Sequence, residues 1–217
     1  MVLKKKIRIL MISSSSSLGG GTKHMFMLGK SLNNDFKVYY AIPKNNNFLK
    51  YLRSNNHIEI AERALKLNDI LNLIKFIKSN SIEIIHAHGK GAGIIARIVK
   101  FFINKPLIYT FHGIHLKCHS FFERLIYLIY EYLFGWIDSM KILVSKSEKY
   151  YAKSSKIYLG SKSTIINNGV LNRPKKFSLY INDLEEKSSR ISKITVITIC
   201  RLVKQKNIEE IIWIALK

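Results

Sequence analysis

The side chains of this sequence best suited to chemistry are three histidines and two cations. His86 and His88 alternate in "IIHAH", His112 follows an apolar run in "YTFHG", and Arg201 and Lys206 stand together in "CRLVKQKN". Alternate positions put both imidazoles of the pair on one face of a strand. An imidazole changes charge near neutrality and can donate or accept a proton. Two cations about one helical turn apart can clamp a diphosphate from two sides. Each pattern also has a plainer reading: a hydrogen-bonding pair at a strand end, a satisfied loop histidine, and a solvated basic helix start.

The stretch "SSLGGGTKHMFMLGKSL", Ser16 to Leu32, sets three glycines between an apolar run and a helical pattern. A strand that turns through glycine into a helix leaves backbone N–H groups pointing outward, a corner that binds anions. Glycine reaches positive φ without strain and lets a phosphate or sugar approach the main chain. A tight turn with no ligand accounts for the glycines equally well.

Several chemistries lack their residues. "GGGTKH" is neither G-x-G-x-x-G nor a P-loop, and no acidic residue closes "FKVYYAIP" to hold a ribose, which argues against nicotinamide or flavin binding. No Asp, Glu or Cys near His86 and His88 completes a metal-ligand set, so no metal is assigned. Ser145 follows its strand without the glycines of a G-x-S-x-G elbow. The two cysteines, Cys118 and Cys200, have no C-x-x-C spacing, which points to a reducing cytoplasm.

Lys and Arg number 36 against 14 Asp and Glu, a formal net charge of +22. An anionic partner follows: nucleic acid, an anionic membrane or a phosphorylated small molecule. Part of the lysine content is also what an AT-rich coding sequence gives. The basic residues are spread along the chain with no nucleic-acid-binding motif or aromatic platform, which disfavours nucleic acid.

Apolar runs and helical patterns alternate along the chain. "IRILMI" reads as a buried first strand, its run too short for a signal peptide. A helix from about Lys23 to Leu32 follows, then the strand "FKVYYAIP", and a helix in which Ile70, Leu71, Ile74 and Ile77 share a face. "IEIIHAH", "GKGAGIIARIVKFFI", "PLIYTFHG", a helix from about Phe121 to Trp136, "SMKILVS" and "KSTIINNG" continue the pattern. The expected fold is α/β, a Rossmann-like parallel sheet with helices on both faces. Gly19 to Gly21, His86 to Gly91, His112 to His115, Ser145, and Asn168 with Gly169 would gather at the carboxyl ends of the strands. The aromatic helix from Phe121 is read as packed amphipathically on the sheet, with a membrane-surface placement as the alternative.

In this order, "GGGTKHMFMLGKSL", "IIHAHGKGAG", "YTFHG", "ILVS", "IINNGV" and "CRLVKQKN" resemble the retaining GT-B glycosyltransferases of the family 4 type. The resemblance implies two Rossmann-like domains facing across a cleft, the acceptor on the first and the nucleotide sugar on the second. It implies that Gly19 and Gly20 approach the donor phosphates, that His112 contacts the transferred sugar, and that Arg201 and Lys206 neutralise the diphosphate leaving group. His86, His88, Ser145, Asn168 and Gly169 would line the cleft.

The implied reaction moves a hexosyl unit from a nucleotide diphosphate sugar to a hydroxyl with retention, in surface polysaccharide or lipid-linked glycan synthesis, with no cofactor and no metal. The implied domains are residues 1–172, a linker at 173–192, and the first strand and helix of a truncated donor domain at 193–217. The resemblance places the family's E-x-x-x-x-x-x-x-E motif deep in the second domain, which this chain barely begins, and Glu209 and Glu210 do not replace it. The chain is therefore expected to be inactive alone. The alternative is an acceptor- or membrane-binding half-module completed by a partner chain. The expected location is the cytoplasm, peripheral to the inner face of the membrane.

Overall fold

The strand "IRILMI" is apolar at every position but Arg8, so both of its faces suit burial in a central strand. In the computed structural model, which describes residues 5–17, 19–32, 34–114, 116, 120–160, 162–169, 197 and 207–215, that strand is the middle of the sheet. This β1 (Ile7–Ile12) pairs in parallel with β2 (Phe36–Pro43) on one side and β4 (Ile84–His88) on the other. Leu10 and Ile12 enter one core and Ile9 and Met11 the other.

The sheet continues with β3 (His57–Ile60), β5 (Leu107–Thr110), β6 (Met140–Leu143) and β7 (Ser163–Ile165), in the order β3-β2-β1-β4-β5-β6-β7. Every pair is parallel. The helix α1 (Gly20–Ser31) covers one face through Met25 and Phe26. On the other face α2 (Leu67–Ser79) and α3 (Lys90–Phe102) bury Leu73, Ile77, Ile95 and Val99. α4 (Phe121–Phe134) and α5 (Lys146–Ser154) add Tyr127 and Ala152 to that core. The expected Rossmann-like α/β architecture is present, and its strand order reverses between β1 and β4. Ligands bind at such a reversal, outside the carboxyl ends of the strands.

Three local readings need correction. In α2 the buried face is Ile70, Leu73 and Ile77, whereas Leu71 stays 48% exposed. The helix sets its rotation by filling the groove beside α3, and Leu71 falls outside that arc. The helix after the glycine run begins at Gly20 rather than at about Lys23, so Gly20 and Gly21 are helical. The aromatic face of α4 does not pack on the sheet: Phe121 and Phe122 are each 73% exposed and Ile126 is 68% exposed. β3 and α5 are additional elements, too short or too polar to stand out in the periodicity.

The chain divides into two compact units, Met1–Gly169 and Val170–Lys217. In the second, the described residues include one helix, α6 (Ile208–Ala215), where the sequence places the start of a helix. The linker at 173–192, Arg201 and Lys206 lie outside the described residues, as does the strand "ITVITIC" except for Ile197.

Candidate functional site

The site grows from the ends of β4 and β5. Their register sets His86 beside Ile108 and His88 beside Thr110. His86 turns to Thr110, with Nε2 2.9 Å from the threonine Oγ1. His88 reaches past the end of β5, and its Nδ1 lies 2.9 Å from Nε2 of His112. The strand-end histidines are thus joined to their neighbours rather than to each other, although their ring centroids are only 4.0 Å apart.

His112 comes back over β4 because the chain turns sharply after β5. Its φ is +59° and that of Gly113 is +107°. Left-handed backbone is costly for a side-chain-bearing residue and persists where the surroundings fix it. The restraint is Glu148 of α5. One of its carboxylate oxygens accepts the Gly113 N–H, and the other accepts the Val144 N–H at 2.7 Å. Glu148 N–H in turn donates to Ser145 Oγ at 3.0 Å, so the Ser145 hydroxyl serves as the N-cap of α5. A single buried carboxylate fastens the loops after β5 and β6 together.

From β1 the chain enters α1 at Gly19, whose φ of −61° and ψ of 163° are open to any residue. Positive φ therefore does not explain the glycines, and close approach does so at Gly21. A Cβ on Gly21 would stand 3.2 Å from the His112 ring, while one on Gly20 would meet nothing within 4 Å. No side chain caps α1, and its first turn holds no acidic residue. The free N–H groups and positive dipole end of the helix remain available to an anion. On the far side of β4, Gly89 needs its glycine for conformation: it caps α3 at φ +84°.

One turn into α1, His24 completes the cluster. Its ring stands edge-on to His112 at 5.0 Å between centroids and 6.1 Å from His88. One ring nitrogen from each of His24, His88 and His112 falls within 4.8 Å of the others, close enough for a three-nitrogen ligand set. His24 Nδ1 and His88 Nε2 are buried and make no hydrogen bond.

Burial, with the neighbouring histidines adding to it, lowers every imidazole here. His86 falls to about 3 and His112 to about 4, His88 drops well below its usual value, and burial alone lowers His24. At neutral pH these rings are uncharged, and each then holds one N–H and one lone pair. The His88–His112 hydrogen bond takes up Nε2 of His112 and leaves its Nδ1 to a further partner, as donor or acceptor according to the tautomer. A neutral, desolvated imidazole suits a hydroxyl group better than a phosphate, whereas the uncapped end of α1 suits a phosphate.

Gly19, Gly20, His86, His88 and His112 therefore come together at the strand-order reversal. Ser145 is linked to them through Glu148. Asn168 and Gly169 are exposed beyond β7, three strands from β4 at the sheet's edge. Sequence reading missed His24, Thr110 and Glu148. His24 lies in "GGTKHM", four residues past the helix start, and its position there was a usable signal. The Ser145-x-x-Glu148 spacing marks a helix start, but nothing local marks the bond from Glu148 to Gly113, 35 residues away.

Solved structures share this fold. HepE from Anabaena, solved with UDP and glucose, matches with a TM-score of 0.61 at 15% identity, over 82% of this chain and 50% of that one. A glycosyltransferase from Rickettsia africae matches with a TM-score of 0.54 at 18% identity, over 87% of this chain and 51% of that one. MurG from Acinetobacter baumannii gives 0.52 at 8% identity, over 76% and 47%. The chain thus spans about half the length of these proteins. No curated protein matches it significantly. The strand-end histidines, the glycine entry to α1 and the β4–α3 turn all fall within residues 18–170, which match the profile of Glycosyltransferase Family 4, and the chain belongs to that family.

Proposed function

We propose that this chain forms the acceptor-side half of a transferase that moves a hexosyl unit from a nucleotide diphosphate sugar to a hydroxyl group. The observation that carries this reading is the convergence of a neutral histidine cluster and an uncapped, glycine-entered helix N-terminus at the strand-order reversal. His112 would bond a sugar hydroxyl through Nδ1, held in place by His88 and by the Glu148 clamp. Gly20, with open space where a side chain would stand, would let the donor diphosphate approach the first turn of α1.

Retention of anomeric configuration, a surface or lipid-linked glycan as acceptor, and a cytoplasmic location belong to the same reading. Arg201 and Lys206 are proposed to supply positive charge where the leaving diphosphate develops negative charge, which removes the need for a metal at that step. A second reading is an acceptor-binding half-module for which a partner chain supplies the donor side.

The test is ligand-observed NMR on the purified chain with UDP- and GDP-hexoses and with candidate acceptor glycans, followed by transfer assays. Saturation of the donor sugar ring in the unmodified chain, lost in His112→Ala, is the expected result. Saturation of an acceptor with no donor contact would favour the second reading. A folded chain that contacts neither would reject both.

A further inference from the structure

α4 is packed inside out. The residues it buries fully are Tyr127 and Glu131, one of them a carboxylate, while its aromatic and aliphatic side chains face solvent. Phe121, Phe122, Ile126, Ile129 and Tyr132 are between 49% and 73% exposed. They recur at helical spacing and so form one continuous stripe. The rotation of the helix is not accidental. Glu131 is 1% exposed and takes a two-pronged ion pair from Arg97 of α3, with N–O distances of 2.8 and 3.1 Å. Turning the stripe inward would pull Glu131 off Arg97 and leave both charges buried and unpaired.

The stripe extends beyond α4. Trp136, in the turn that follows, is 65% exposed, and Phe101 and Phe102 at the end of α3 are 60% and 65% exposed. With Lys100 they line a surface groove of about 600 Å³. Cations lie beside this apolar surface, while Glu123, exposed on α4, and Asp138, at the groove, each have a bonding partner. The three carboxylates between residues 120 and 140 are engaged: Glu123 accepts the Ser120 N–H in a capping box, and Glu131 and Asp138 bind Arg97. Arg124 is exposed on α4, and Lys100 lies at the groove.

We propose that this face docks on the surface of an anionic lipid bilayer. Aromatic side chains beside lysine and arginine, on a chain of formal net charge +22, match the boundary between acyl chains and anionic headgroups. A second copy of the chain fits less well, because each copy carries a formal charge of +22 and would repel the other. The contact lies in the membrane plane. No helix among the described residues is long and apolar enough to cross a membrane, and the 14 residues of α4 make a rod of about 21 Å. The inference concerns binding and stands apart from the transferase reading.

The experiment is co-sedimentation of the full chain with phosphatidylcholine vesicles, with and without phosphatidylglycerol. Emission of Trp136 is followed in a Trp213→Phe background. Binding to the anionic vesicles with a blue shift of Trp136 is expected. Phe121→Ser with Phe122→Ser should weaken it by about tenfold or more, the effect of two apolar side chains that no longer leave water. Because both side chains are exposed, the circular dichroism spectrum should not change. Arg124→Glu should weaken binding only when phosphatidylglycerol is present. Equal binding to neutral vesicles, binding that survives the double substitution, or no binding would overturn the proposal. So would a dimer in sedimentation equilibrium that the double substitution dissolves.

Discussion

Two polar clusters are buried on opposite sides of β5, and they are built on opposite principles. Beneath α4, Arg97 and Lys141 meet Glu131 and Asp138, two cations against two carboxylates, with Arg97 bonded to both acids and Lys141 3.0 Å from Asp138. Burial alone would lower Arg97, but hydrogen bonds to Asp138 and Glu131 outweigh it and hold the guanidinium charged. At the strand ends and in the first turns of α1, His24, His86, His88 and His112 lie together with no counter-ion among the described residues, and desolvation keeps them neutral. The first cluster has its partners and spends its polarity on fixing α3, α4 and β6 together. The second has unsatisfied nitrogens on His24 and His88, which is the state of a site arranged for something other than its own stability.

The largest effect separating the two should come from breaking the charged cluster. Arg97→Met leaves Glu131 and Asp138 without their main partner and should cost about 3–5 kcal/mol in a denaturant titration. Adding Glu131→Leu should recover part of that loss. His88→Leu, by contrast, removes a neutral ring and leaves Nε2 of His112 unpaired, so it should cost about 1–3 kcal/mol, while donor contact is lost.

Acid should discriminate next. The histidines have lower values folded than unfolded, so the unfolded chain binds more protons once the pH drops below about 6.5. Their contribution to stability is complete above that pH and is lost as the pH falls toward about 4 for His112 and about 3 for His86. Each coupled histidine should add a slope of up to about 1.4 kcal/mol per pH unit within its window. Thermal melts from pH 7 to pH 4 should show the fall beginning near 6.5, and His86→Leu with His88→Leu should flatten it.

Smaller effects test how the histidine site is held. Ser145→Ala removes the cap of α5 and loosens the Glu148 clamp, for about 1 kcal/mol. Gly21→Ala crowds the His112 ring and should offset the gain in helix propensity, leaving stability within about 1 kcal/mol of the original but shifting the His112 ring signals in NMR. Gly20→Ala meets open space, so it should stabilise α1 by up to about 1 kcal/mol and still weaken diphosphate binding.

Much of the fold was legible because its signals are local. β1, β2, β4, β5 and β6 are apolar runs ended by proline, glycine or polar residues, and their alternation with helices requires a parallel sheet. The gathering of Gly20, His88 and His112 followed from that topology, since loops after parallel strands lie on one edge. The role of the glycine run was harder to read. Its residues suggested unusual backbone, whereas the structure uses the missing side chain at Gly21 to seat a ring from 91 positions later in the chain.

The sequence by itself determined the order of strands and helices, the two-sided core around β1, and the end of the sheet that carries the chemistry. Periodicity reports which side chains share a face, and connection rules report where strand ends lie. Neither reports which partner a face meets. Only the tertiary structure decided that α4 turns its single buried carboxylate inward to Arg97, 34 residues away, and its aromatic stripe outward. It also decided that His24 joins the strand-end histidines and that Glu148 holds His112 over them. The physical reason is the same in each case: a buried charge or ring takes its place from a partner brought near by folding, and that partner leaves no mark in the neighbouring sequence.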